Sequence, residues 1–222
     1  MTLTFNRRTA GMLGLTGLAI GGGIFARKFF FGAAEGREDR EQAAAAAEAL
    51  FRDPRDPVLG NPAGGLTIVE FYDYRCPYCI RMHALTEMLL SEDRDIRLVA
   101  KQWPVFGGPS VGAARTALAA HLQGRFAPVN DALFKVGRQL DDSKIRAAAE
   151  EGGLDLARMD ADLSAQGGEI EQSLGRVAMQ ALSIGLQGTP AFIIGSYLVP
   201  GAMTYENLVE TVAKARGRTA QQ

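Results

Sequence analysis

The stretch LTIVEFYDYRCPYCIRMHALTEML, residues 66–89, decides the fold. Its first part, Leu66 to Tyr74, is β-branched, aromatic and almost continuously apolar, as a central strand covered on both faces should be. Its last part places Ile80, Met82, Leu85, Met88 and Leu89 at helical spacing. Between the two lies Cys76-Pro77-Tyr78-Cys79. A strand running into C-x-x-C and then into a helix sets the first cysteine at a helix N-terminus. Unpaired backbone N–H groups and the helix macrodipole stabilise a thiolate there. Cys76 is therefore read as the outward-facing, low-pKa nucleophile. Cys79, one turn further in, is read as the shielded resolving thiol that releases a partner from a mixed disulfide. Pro77 suits the first helical turn, where its missing N–H costs nothing. An inert disulfide, half of a metal site and two unrelated buried cysteines compete with this reading, but the flanking strand and helix favour redox chemistry.

Working outward, Ile96 to Ala100 reads as the next strand. From Ser110 to about Ile184 the pattern is helical, with Ile170, Leu174, Val177 and Ala181 on one face and glycines at 124, 152–153 and 185 as stops. Ala191 to Gly195 and Tyr197 to Val199 flank a Gly-Ser turn as a hairpin, and Thr204 can cap a closing helix. Toward the N-terminus, Asp53 to Gly65 is rich in proline and glycine and reads as a linker, with the domain proper starting after it. Arg37 to Arg52 reads as an alanine-rich helix outside the main core, able to associate with its copies in a homo-oligomer. The order is that of an α/β thioredoxin fold with an inserted all-helical domain. The expected parts are a signal or anchor segment over 1–34, the helix and linker over 35–64, the two thioredoxin parts over 65–106 and 186–222, and the insert over 107–185.

Arg7 and Arg8 precede an uncharged run from Thr9 to Ala26, which reads as an export signal, cleaved or retained as an anchor. The location implied is periplasmic. The net charge of −1 gives no sign of a nucleic-acid partner, and two cysteines exclude a multi-bridge scaffold or a four-cysteine zinc site. No cofactor is expected.

Phe71-Tyr72-Asp73-Tyr74 before the C-P-Y-C, the long helical stretch, and Gly188-Thr189-Pro190-Ala191-Phe192 before the hairpin resemble the DsbA family of exported thioredoxin-fold oxidoreductases over about residues 64–216. The helix and the linker Asp53 to Pro62 narrow the resemblance to the suppressor-of-copper-sensitivity type, ScsC, some of which oligomerise through an N-terminal extension. The resemblance implies that Pro190 is cis and lies beside the cysteines, so that Thr189 and Pro190, together with Pro77 and Tyr78, face a substrate chain. It also implies cysteine-containing protein substrates and a membrane redox partner that resets the cysteines.

Glu70 stands where the family has a buried acid. Desolvation would raise its pKa and let it relay a proton to or from Cys79; the alternative is a strand-edge carboxylate bonded to backbone. Asp73 reads as a strand-end polar residue. His83 reads as a solvated surface residue, or else as the third ligand of a copper or zinc site with the two cysteines. His121 reads as packed or exposed, and Trp103 as a lid or core residue. The Pro-Tyr dipeptide and Thr189 differ from the Pro-His and valine of the family's strongest oxidant, so oxidase, isomerase and reductase activities all stay open. The alternative from another class is a copper-tolerance protein that holds Cu(I) on the same cysteines.

Overall fold

The computed structural model describes residues 27–28 and 37–219. Its strands are β1 (Arg27–Lys28), β2 (Val58–Gly60), β3 (Leu66–Tyr72), β4 (Ile96–Gln102), β5 (Ala191–Ile194) and β6 (Tyr197–Pro200). Its helices are α1 (Arg37–Arg52), α2 (Pro77–Glu92), α3 (Pro109–Leu122), α4 (Phe126–Val136), α5 (Asp142–Glu151), α6 (Leu156–Ser183) and α7 (Tyr205–Thr219). The strands form one sheet in the order β1-β6-β5-β3-β4-β2, in which β3 and β4 are parallel across the α2 crossover and the other pairs are antiparallel. This is a thioredoxin-like fold with a helical insertion. The leader expected over 1–34 lies outside the described residues except for Arg27 and Lys28, which pair with Leu198 and Tyr197.

Alternation along β3 divides the core. Ile68 and Tyr72 join Met82, Phe192, Leu208 and the packed faces of α3, α4 and α5 in one cluster. Val69 and Phe71 face the other way, onto Trp103, Val177, Ala181 and Leu50. Helix α6 serves both layers: Ile170 and Leu174 pack on Ala114 and Leu118 of α3, and Val177 and Ala181 pack beneath the sheet. The insert and the sheet therefore share a rigid element.

Two expectations for the N-terminal side are corrected. The proline- and glycine-rich segment contributes β2, whose Leu59 pairs with Leu98, so the sheet begins before Leu66. A three-residue strand between prolines leaves no periodicity to read. Its end is tight: Gly60 has φ +71°, and a Cβ there would meet the Ile96 carbonyl at 2.6 Å. The last turn of α1 is also not outside the core. Leu50 is buried, and the Phe51 carbonyl accepts a 2.7 Å bond from Arg97. The Ala49 carbonyl accepts from Gln180 Nε2 at 3.1 Å. Beside it Lys101, fully buried, is bonded to Asp56 and to Gln180 Oε1, and Arg176 reaches both Asp56 and Asp53. This buried ionic cluster fastens the N-terminal segment to β4 and α6.

Candidate active site

Strand β3 delivers the chain to a tight turn ahead of α2. The Cys76 N–H donates to the Asp73 carbonyl at 3.1 Å, and the Arg75 N–H donates to Asp73 Oδ1 at 2.8 Å. Cys76 is the N-cap of α2, in an extended conformation (φ −70°, ψ 119°), with Pro77 following at the first helical position and the Ile80 N–H bonded back to the Cys76 carbonyl at 3.0 Å. From the other side of the sheet's end, the loop before β5 brings the Thr189 carbonyl to 3.3 Å from Cys76 Sγ, and the Thr189–Pro190 peptide bond is cis.

The two sulfurs differ sharply. A hydrogen bond from the Cys79 thiol, aided by the Cys79 backbone N–H and opposed by burial, lowers the Cys76 pKa to about 6. Burial, together with the hydrogen bond to Cys76, pushes Cys79 far above the ordinary thiol range. Near neutral pH one thiolate sits on Cys76 and one proton stays on Cys79. Cys76 does not face outward as expected, however. Its relative exposure is 2% against 0% for Cys79, because the Thr189–Pro190 loop lies across it. The exposed parts of the motif are Pro77 and Tyr78, whose ring lies 5.1 Å beneath the Arg81 guanidinium.

Glu70 lies on β3 between Ala100 of β4 and Phe192 of β5, on the sheet face that α2 covers. It is buried, and its Oε1 has no hydrogen-bond partner. Burial, with a smaller contribution from Glu87, raises its pKa to about 8, so it carries a proton at neutral pH. The strand-edge alternative fails, since β3 is paired on both sides. Glu70 shares its face of β3 with Tyr72, which packs in the same core cluster as Cys79.

Asp73 is more than a strand-end polar residue. It is buried, and its carboxylate accepts from the Arg75 N–H, from Ser110 Oγ at 2.7 Å and from the Phe106 N–H at 3.0 Å. His83 is neither solvated nor free to ligate. Its ring stacks on Phe134 (4.3 Å between centroids, 14° between planes), and its Nε2 lies 3.1 Å from Asp131 Oδ1. Among the described residues no group of three or more His, Cys, Asp or Glu side chains could hold a metal. His121 packs edge-on against Phe126, and Trp103 is a core residue, edge-to-face with Phe71.

A buried hydroxyl cluster went unread in the sequence. Tyr72 and Tyr74 both donate to Asn130 Oδ1 at 2.8 Å, and Gln102 Nε2 donates to Tyr72 OH at 3.0 Å. The one available signal was Asn130 within the apolar face of α4. The cluster ties the segment that leads from β3 to the cysteines to the helical insert.

The family model of the DSBA-like thioredoxin domain matches residues 67–213. Among solved structures, a thioredoxin-like oxidoreductase from Silicibacter pomeroyi DSS-3 is 38% identical with a TM-score of 0.71, over 77% of this chain and 97% of that one. A periplasmic thioredoxin-like protein from Salmonella enterica serovar Typhimurium is 30% identical with a TM-score of 0.67, over 77% and 95%. The catalytic domain of Proteus mirabilis ScsC is 27% identical with a TM-score of 0.70, over 79% and 97%. Curated relatives named Na(+)/H(+) antiporter NhaA also match, that of Mycolicibacterium gilvum at 29% identity over 169 residues. The chain spans about a quarter of their length, 27% for that relative.

Proposed function

Because the chain belongs to the DSBA-like thioredoxin family of thiol–disulfide oxidoreductases, we propose that it is exported and exchanges disulfides with cysteine-containing proteins through Cys76 and Cys79, as an oxidase or an isomerase. The observation that carries this reading is the asymmetry of the two sulfurs: a stabilised thiolate at the start of α2 and a buried thiol that holds its proton. In the oxidising direction, a substrate thiolate attacks Cys76 Sγ and the Cys76–Cys79 bond breaks. The electron pair goes to Cys79, which takes up a proton. A second substrate thiolate then attacks the substrate sulfur of the mixed disulfide, and Cys76 leaves as the thiolate. The substrate gives up two electrons to the cysteine pair. Isomerisation begins with Cys76 attacking a substrate disulfide instead.

Glu70, protonated at neutral pH, is proposed to supply and recover the Cys79 proton, a role its burial and raised pKa support. Thr189 and Pro190 are proposed to meet the substrate backbone, with Pro77 and Tyr78 at the rim. The leader over 1–34, the division into thioredoxin parts and insert, and a membrane partner that resets the cysteines belong to the same proposal. Arg7, Arg8 and the uncharged run that follows support export, as does the periplasmic relative. A homo-oligomer through residues 37–52 rests on the alanine-rich face of α1 ahead of its docked last turn.

Antiport is not proposed. The chain corresponds to 27% of the Mycolicibacterium gilvum antiporter, and among the described residues no helix is long and apolar enough to cross a membrane. The copper-tolerance reading keeps two cysteines but loses His83, which Phe134 and Asp131 hold. The deciding experiment measures turnover: catalytic oxidation of a reduced unfolded protein, and reshuffling of one with scrambled disulfides. Many turnovers per molecule are expected. No turnover, with one Cu(I) held tightly, would replace this reading with the copper one.

A further inference from the structure

We propose that Asp73 is a positioning residue that fixes the apolar loop tip Val105–Phe106 relative to Cys76. It thereby makes the enzyme select cysteines that have an aromatic or large aliphatic neighbour in the substrate chain. The inference rests on the oxidoreductase reading above and adds the substrate class to it.

Asp73 joins two segments that are 30 residues apart in the chain. Its carbonyl and Oδ1 shape the turn that presents Cys76, accepting from the Cys76 and Arg75 N–H groups. Its Oδ2 accepts from the Phe106 N–H at 3.0 Å, and Oδ1 accepts also from Ser110 Oγ, beyond the far end of the same loop. A buried carboxylate is costly unless donors surround it, and here three do. The loop they hold is closed by further short bonds, Val105 N–H to Trp103 O at 2.8 Å and Gly107 N–H to Pro104 O at 3.2 Å, while Trp103 anchors its base in the core. Yet the tip itself stays in solvent, with Val105 43% and Phe106 54% exposed.

A loop tied this firmly that holds two apolar side chains away from its own core presents them to something else. The occupant follows from continuity with the reacting sulfur. The Cys76 N–H and the Phe106 N–H both donate to Asp73, so a chain whose cysteine has reached Cys76 meets this loop with the residues that flank that cysteine.

The test uses two dithiol peptides that differ only in Phe or Ser beside the cysteine, with glutathione disulfide as a third substrate. Asp73→Asn retains an acceptor for the Arg75 N–H but turns an amide donor toward the Phe106 N–H, so the turn survives and the tether is lost. Phe106→Ser changes an exposed side chain and keeps the test decisive if the first variant folds poorly. The wild type should prefer the Phe peptide in kcat/KM by about tenfold, through KM, as one partly buried aromatic contact warrants. Both variants should narrow that preference to within about twofold. An absent wild-type preference, a preference that survives both variants, or equal proportional losses on both peptides and glutathione would overturn the proposal. Failure of the wild type on all three substrates would instead overturn the oxidoreductase reading.

Discussion

Glu70→Gln should change how stability depends on pH, by an amount the site itself sets. The Glu70 carboxyl titrates near 8 in the folded protein against an ordinary value of 4.5, because burial disfavours its charge. Between these two values the unfolded chain has released the proton while the folded chain keeps it, so stability falls as pH rises through that window. Below about pH 4 both states are protonated and the effect vanishes. By pH 7 it spans about 2.5 pH units at ~1.36 kcal/mol each, or roughly 3 kcal/mol of destabilisation that glutamine removes. The glutamine brings its own cost, about 1–3 kcal/mol for a buried amide lacking a partner, but that cost does not vary with pH. The diagnostic quantity is therefore the change in the stability difference between variant and wild type. It is measured by urea unfolding of the reduced proteins at pH 4 and pH 7, where the Cys76 contribution is common to both and cancels. The variant should gain roughly 3 kcal/mol relative to wild type between the two pH values. Parallel pH profiles, differing by less than about 0.5 kcal/mol, would mean that Glu70 is not a buried protonated acid and would remove it from the proton path.

Alkylation of the reduced protein should be half-maximal near pH 6 and confined to Cys76, and Cys79→Ala should move that midpoint up toward the ordinary thiol value by removing the largest hydrogen bond to the thiolate. Asp56→Asn leaves Lys101 buried without its counter-charge and should cost about 3–5 kcal/mol in chemical unfolding; a loss under about 1 kcal/mol would show that the cluster does not hold the N-terminal segment. Light scattering should find residues 35–222 multimeric and residues 47–222 monomeric, the shorter chain keeping the docked turn at Leu50. Equal monomeric masses would leave α1 as a spacer.

The order strand, C-x-x-C, helix, helical block and hairpin was legible because each element carries a dense local signal: the apolar run of β3, the helical spacing after Cys79, the Gly-Ser turn between β5 and β6. What escaped is non-local. β2 is three residues long, and only its pairing with β4 makes it a strand. Leu50 alone, at the end of an alanine-rich helix, does not announce that the last turn is buried. Asp73 and His83 are ordinary polar residues in sequence, and their roles depend on Phe106, Ser110, Asp131 and Phe134, all brought in by later elements. The burial of Cys76 follows from Thr189, 113 residues away, which no local pattern can supply.

The central claim, that Cys76 is the reacting sulfur and Cys79 the reserve, is tested most directly by trapping. Each single-cysteine variant is mixed at pH 7 with a peptide whose cysteine is activated as a mixed disulfide with thionitrobenzoate, and release of the coloured thiolate is followed as the protein–peptide disulfide forms. Cys79→Ala should couple quantitatively through Cys76, and Cys76→Ala should react at least about a hundredfold more slowly, since its remaining thiol is buried and protonated. Equal rates, or faster coupling through Cys79, would contradict the account.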